Sequence, residues 1–484
     1  MERDDERAEA FCQAVEAGEA ATLRALFTDH PELSEVVNHN WFYFGATAVG
    51  FLAGRGDREA IDALLDFGAD PNVKSDWDAG PYHVLDCIVD RPPPINVELA
   101  DHLISRGAVL DIHAAAGLGR RDALADMLDA EPHRVSEPGP DGATPLHLAR
   151  DPETATLLLD RGAAIDQRCV DHKSTPAQWA AQGRLDVMRL LLERGARPDL
   201  FMAAVLNDVG LAESILASEP EAIDVRVRPG RSHEHVGFGD KYVWALDFAD
   251  TPLEVARRRD HAEVCDFLIP RSSVFVRLLH ASRSGDADAV RALLEEHDGL
   301  VESLTQEQTF DVLGGTVEAI TLLLEAGADP NVVDEENRST PMHHAAWQNA
   351  QDRLEVLLRH GGNLQIRDGS YLSSPLGWAS QAGNEALVHW LAEQSQLDIV
   401  DATWLGQTDR VREILLEKPE AIHGFGNGEA SPLRTAALFG HTDIVRILLE
   451  NGADPAVCNP HTGMNAAAVA RAHGHDEIAT LLES

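Results

Sequence analysis

The stretch Ser431-Pro-Leu-Arg-Thr-Ala-Ala-Leu-Phe-Gly440-His-Thr-Asp-Ile-Val-Arg-Ile-Leu-Leu-Glu450-Asn-Gly-Ala-Asp-Pro455 holds one complete structural unit. Ser431 suits a helix cap, where its hydroxyl accepts from an orphan amide, and Pro432 follows at the first helical position, where no donor is needed. Gly440-His441 turns the chain. Ile444, Ile447 and Leu448 then fall at the i, i+3, i+4 spacing of a second, amphipathic helix. Gly452 ends that helix in the left-handed conformation that costs glycine little, and Asp454-Pro455 opens the turn to whatever follows.

Both halves of the unit recur. The Leu-Leu-x-x-Gly-Ala ending is repeated, with small variations, at Leu64-Leu65, Leu103-Ile104, Leu158-Leu159, Leu191-Leu192, Leu323-Leu324, Leu357-Leu358 and Leu448-Leu449. The cap block returns at Thr144-Pro145, Thr175-Pro176, Thr251-Pro252, Thr340-Pro341, Ser374-Pro375 and Ser431-Pro432. Gly162 to Gly195 spans 33 residues and Gly327 to Gly361 spans 34. A fixed period of this length marks stacked repeats, each packing only on its neighbours. With cap block, Gly-His turn and Leu-Leu-Leu…Gly-Ala-Asp ending in register, the chain resembles the ankyrin-repeat family over most of its length. It is similar to large bacterial ankyrin-array proteins of unassigned role. The resemblance implies an all-α solenoid of about fifteen helix pairs with short β-hairpin fingers between them. It also implies a scaffold position for His147 and His343.

A second class of unit ends on proline instead of Gly-Ala: Leu26-Phe27…Pro31, Met127-Leu128…Pro132, Ile215-Leu216…Pro220 and Leu415-Leu416…Pro419, with Leu293-Leu294…His297 as a looser fifth. Two segments break the period. Pro92-Pro93-Pro94 stiffens a link between two helices. Residues 224–250 are longer: Val225 to Arg228 and Lys241 to Leu246 read as period-two strands around Pro229-Gly230, hence an extended β-hairpin. It is either an elongated inter-repeat finger or an added binding loop. The expected organisation is an N-terminal array over 1–223, the insertion with a degenerate repeat over 224–270, and a C-terminal array over 271–484.

The charge balance, 40 basic against 81 acidic residues for a net −41, argues against nucleic acid and anionic membranes as partners. Only four of the bases are lysine: Lys74, Lys173, Lys241 and Lys418. Such a surface is either a solvated face, including one adapted to a saline cytoplasm, or a groove for a basic partner. Cys12, Cys87, Cys169, Cys265 and Cys458 are scattered, odd in number and without a CxxC, which suits reduced thiols. No apolar run approaches the ~18 residues of a membrane span and the charged N-terminus lacks a secretory pattern. A cytoplasmic monomer is expected.

Chemistry-bearing patterns are weak. His233-Glu234-His235 with Asp240 is short of the ligands and spacing of a zinc site. Cys458…His461 and His473…His475 fall short in the same way, and Gly117-Leu-Gly119 follows an alanine-rich helix without the lysine of a phosphate loop. No cofactor, metal or catalytic set is expected, and the chain reads as a scaffold that binds an unknown protein partner, not an enzyme. The family resemblance implies docking on the concave face and finger tips. The positions after the Ala-Ala pair of each first helix are Trp347-Gln348, Gln381-Ala382, Leu438-Phe439 and Arg258-Arg259. Trp347 and Phe439 either anchor a partner or pack on adjoining repeats; Trp179 and Trp378, one turn earlier, read as core. Two alternatives stand beside the scaffold: a metal-assisted enzyme built on residues 224–250, and an acidic nucleic-acid mimic that occupies a basic protein.

Overall fold

The computed structural model describes residues 3, 5–227, 241–246, 251–426 and 430–483. Those residues form 32 α-helices, thirty of which pair as fifteen helix–turn–helix units. The chain divides into two compact units, Met1–Arg271 and Ser272–Ser484. Within each, first helices stack on first helices and second on second, as Pro341–Trp347 packs on Pro375–Gln381 and Val317–Glu325 on Gln351–Arg359.

The cap block does locally what its chemistry suggests. At Thr340 the backbone amide donates to His343 Nδ1 at 3.0 Å, the hydroxyl lies 2.8 Å from the same nitrogen, and His343 Nε2 reaches the Ser373 carbonyl of the following repeat at 3.1 Å. His147 repeats the arrangement with Thr144 and Ser174. A neutral imidazole with its proton on Nε2 satisfies every contact. Gln178 fills the slot in the next unit, accepting from the Thr175 amide at 2.9 Å. Gly327 and Gly452 end their helices at φ +100° and +92°, where a side chain would be strained. The proline-type endings each fold into a single 3-10 turn: Pro31–Glu35, Pro132–Ser136, Pro220–Asp224 and Pro419–His423. The looser fifth forms the short α-helix Leu300–Ser303 instead.

The expected β-hairpin fingers do not form among the described residues. Among the described residues there is no β-strand, only the isolated bridges Phe42–Ala46 and Phe425–Ala430. The reason is visible in the connecting loops, where side chains take the amides that a ladder would use. Asp334 accepts from the amides of Glu336, Asn337 and Ser339, and Asp368 from those of Ser370, Tyr371 and Ser373. One backbone bond then closes each loop, from Asp334 to the Ser339 carbonyl at 2.9 Å and from Asp368 to the Ser373 carbonyl at 3.0 Å.

The extended hairpin expected over 224–250 does not form in its described residues, 224–227 and 241–246. Residues 225–227 are not a strand, and Lys241–Ala245 is a helix. Tyr242, Val243 and Leu246 are buried while Trp244 is exposed, a helical i, i+1, i+4 face that a period-two reading mistakes for alternation. This helix is fastened to the repeats. The Lys241 amide donates to Ser174 Oγ at 3.1 Å, its ammonium stands 3.7 Å over the Trp179 ring and 3.4 Å from Asp90 Oδ1, and the Tyr242 hydroxyl donates to Asp199 at 2.8 Å. His233, Glu234, His235 and Asp240 lie outside the described residues.

Candidate partner-binding surface

In the second unit, successive first helices carry aromatic rings at or within a turn of their C-terminal ends. Helix Pro341–Trp347 ends on Trp347, which is 51% exposed, and its ring meets Trp378 of helix Pro375–Gln381 edge-on at 6.1 Å. Trp378 is half-buried, in contact also with His343 and His344, and its indole N–H donates to Asp368 Oδ2 at 2.8 Å. Helix Ile399–Trp404 follows. Its Trp404 donates from the indole to Ser380 Oγ at 3.0 Å and packs on Phe439 at 4.9 Å. Phe439, the residue after helix Pro432–Leu438, is 38% exposed. Four consecutive first helices thus present one near-continuous aromatic band.

The sequence-derived positions sort as follows. Trp347, Gln348, Gln381 and Phe439 are exposed and Leu438 is half-buried, all at first-helix ends of the second unit. Trp179 is fully buried, while Trp378 is only half-buried and belongs to the band and not to the core. Arg258 and Arg259 belong to the first unit, where Arg258 Nε donates to the buried Glu254 carboxylate at 2.7 Å and Arg259 is half-buried. Trp404 escaped the sequence reading because its helix lacks the Ser/Thr-Pro block that sets the register; Asp398 caps it instead. A tryptophan at the end of a helical stretch, one period before Phe439, was the available signal.

Among the described residues of the first unit, two groups of side chains are of metal-ligand type: His83, Asp86 and Asp111, and Asp141, Asp171 and His172. In the former, His83 Nδ1 lies 3.0 Å from Asp111 and 3.3 Å from Asp86. Hydrogen bonds to Asp111 and Asp86 push His83 up to about 9, so an imidazolium supplies the positive charge between these carboxylates at neutral pH.

Comparison with known proteins agrees with the repeat fold. The family description "Ankyrin repeats (3 copies)" matches residues 112–202 and 311–403, and "Ankyrin repeat" matches residues 429–460. The chain is 31% identical over 116 residues to bovine Cyclin-dependent kinase 4 inhibitor B, covering 24% of this chain and 88% of that protein. The chain belongs to the ankyrin-repeat family. It is also 26% identical over 193 residues to mouse Ankyrin repeat and SOCS box protein 6, covering 31% of this chain and 44% of that one. Against the Caenorhabditis elegans Ankyrin repeat and KH domain-containing protein mask-1 it is 26% identical over 261 residues, 46% of this chain and 10% of that protein. The chain therefore spans under half the length of these two relatives. All three are animal proteins, not the bacterial arrays that the repeat endings suggest. Ankyrin repeats are in general protein–protein interaction modules and non-catalytic scaffolds. Among the described residues no helix is long and apolar enough to cross a membrane.

Proposed function

We propose that this ankyrin-repeat chain captures a partner protein on the aromatic band of its second unit, with Trp347 and Phe439 as anchors and Gln348, Gln381 and Leu438 as flanking contacts. The observation that carries this reading is the 51% exposure of Trp347, whose ring is braced edge-on by Trp378 and so offers an apolar surface. Large aromatics in such settings supply most of the energy of an interface, about 2 kcal/mol or more each. The acidic balance of the chain favours a partner whose apolar contact is rimmed by basic side chains. The name of the bovine relative describes one protein inhibiting another, an action exerted through binding; the same class of action, with no particular target, is proposed here. The free cysteines support a reducing compartment, hence the cytoplasm.

The test is crosslinking of the full chain in native lysate, read by mass spectrometry, beside the Trp347→Ala, Phe439→Ala double variant. Loss of the captured protein with unchanged circular dichroism and melting supports the reading. Equal capture by both forms, or collapse of the fold, overturns it.

A further inference from the structure

A cavity of about 410 Å³ opens in the first unit between helices Ala48–Arg55 and Asp86–Val89, within the size range of small-molecule sites. Four aromatic residues line it: Tyr43, Phe44, Phe51 and Tyr82. One of these, Phe44, has an unusual backbone conformation. Phe44 sits at φ +56°, a left-handed conformation that is an outlier for a bulky side chain, and yet its ring is 60% exposed. The turn is held by the Phe42–Ala46 bridge and by the Asp76 amide, which donates to the Gly45 carbonyl at 3.1 Å. Glycine suits position 45, which sits at φ +61° and where an added Cβ would displace the Asp76 carboxylate. The same left-handed pair recurs at Asp141-Gly142, so this is the connecting turn of the repeat, and what is particular here is the aromatic side chain that the turn carries into the cavity wall.

The charges at the cavity are unequal. Asp90 is already engaged, accepting from the Tyr82 hydroxyl at 2.9 Å and facing the Lys241 ammonium at 3.4 Å. Arg55 pairs with Asp57 at 2.9 Å. Arg91 has no hydrogen bond or ion pair among the described residues, in a chain with two acidic residues for every basic one. Its guanidinium lies across Gly54, where an added Cβ would stand 2.7 Å from Nη2, so the glycine leaves the room that Arg91 occupies. Cys87 also lines the cavity, but burial pushes its thiol up to about 12, so it stays a thiol and covalent capture is not part of the design.

We propose that this cavity binds a small planar aromatic carboxylate, its ring between Phe44, Phe51 and Tyr82 and its acid group on Arg91. Aromatic walls select a flat apolar body, and an unpaired guanidinium selects a carboxylate, which it holds with two parallel N–H···O bonds. The site is separate from the aromatic band of the second unit and does not depend on it.

The test is calorimetric titration of the full chain with 2-naphthoate and with its neutral isostere 2-naphthamide. The expected result is binding of the acid with the amide at least about tenfold weaker, the step that loss of a charge-assisted pair implies. Arg91→Gln should abolish that preference and Phe44→Ala should weaken both probes, while Arg150→Gln, outside this cavity, changes nothing. Melting curves of the variants verify the fold, and Tyr43→Ala, at a position 78% exposed, provides a second aromatic change that the core does not feel. Failure of the acid to bind at millimolar concentration, equal binding of acid and amide, or an unchanged preference in Arg91→Gln overturns the proposal.

Discussion

His343 shows how one side chain ties two repeats together. It is fully buried, takes the Thr340 amide on Nδ1 and gives its Nε2 proton to the Ser373 carbonyl. Burial holds it down to about 4, and His147 down to about 3, from the ordinary 6.5. In the unfolded chain both histidines bind a proton as pH falls through 6.5, whereas the folded chain resists until about 4 and 3. The stability they contribute is therefore complete above pH 6.5 and is lost as pH falls through that window. Melting temperature should drop between pH 7 and 4.5, and His343→Gln should lessen the drop while keeping the cap, since Gln178 already plays this part for Thr175. A pH profile unchanged by His343→Gln would contradict the assignment. His343→Ala, which strands the Ser373 carbonyl and the Thr340 amide, should cost about 1–3 kcal/mol in urea denaturation.

At the scale of elements, the connecting loops decide how one pair meets the next. Arg367, in the loop ahead of helix Pro375–Gln381, reaches Asp398 and lies 3.2 Å from Asp401, both of the following pair, with its guanidinium 4.4 Å from the centre of the Phe425 ring. Its side chain is 8% exposed. Burial pushes Asp401 up to about 6, against which the Arg367 charge acts. Removing one member of a buried ion cluster strands the others, so Arg367→Met should destabilise the second unit by about 3–5 kcal/mol. Adding Asp401→Asn should recover part of the loss, and a double variant no more stable than the single one would show that the cluster is not coupled. Helices of this kind were legible in the sequence: Thr-Pro and Ser-Pro starts, Gly-Ala ends and i, i+3, i+4 faces are local chemistry. The loops were not. A finger that closes with one backbone bond and an aspartate cap has the same polar, glycine-rich composition as a β-hairpin. The helix Lys241–Ala245 was misread as a strand because five residues are too few to separate the two periods. Its state is decided by Ser174 and Asp199, far away in the chain.

The whole molecule carries −41 charges, and many exposed arginines sit in ion pairs such as Arg24–Asp66 and Arg161–Asp129. Exposed pairs of this type contribute at most about 1 kcal/mol each, whereas the excess of carboxylates repels itself at every distance inside the screening length. That length shrinks from about 30 Å at 0.01 M salt to about 8 Å at 0.15 M. Raising sodium chloride over this range should therefore raise the melting temperature; a fall would mean that ion pairs outweigh the net repulsion. The repeat period, the helix pairs, their caps and the acidic character were all set by the amino-acid order, because each depends on residues within one period of one another. Which side chains stand free was decided only in three dimensions. Trp378 joined the exposed band instead of the core, Trp404 reached Phe439 across a repeat boundary, and Arg91 has no partner among the described residues at the cavity that Phe44, Phe51 and Tyr82 line. Exposure is a property of neighbours from other repeats, and a local pattern does not contain them.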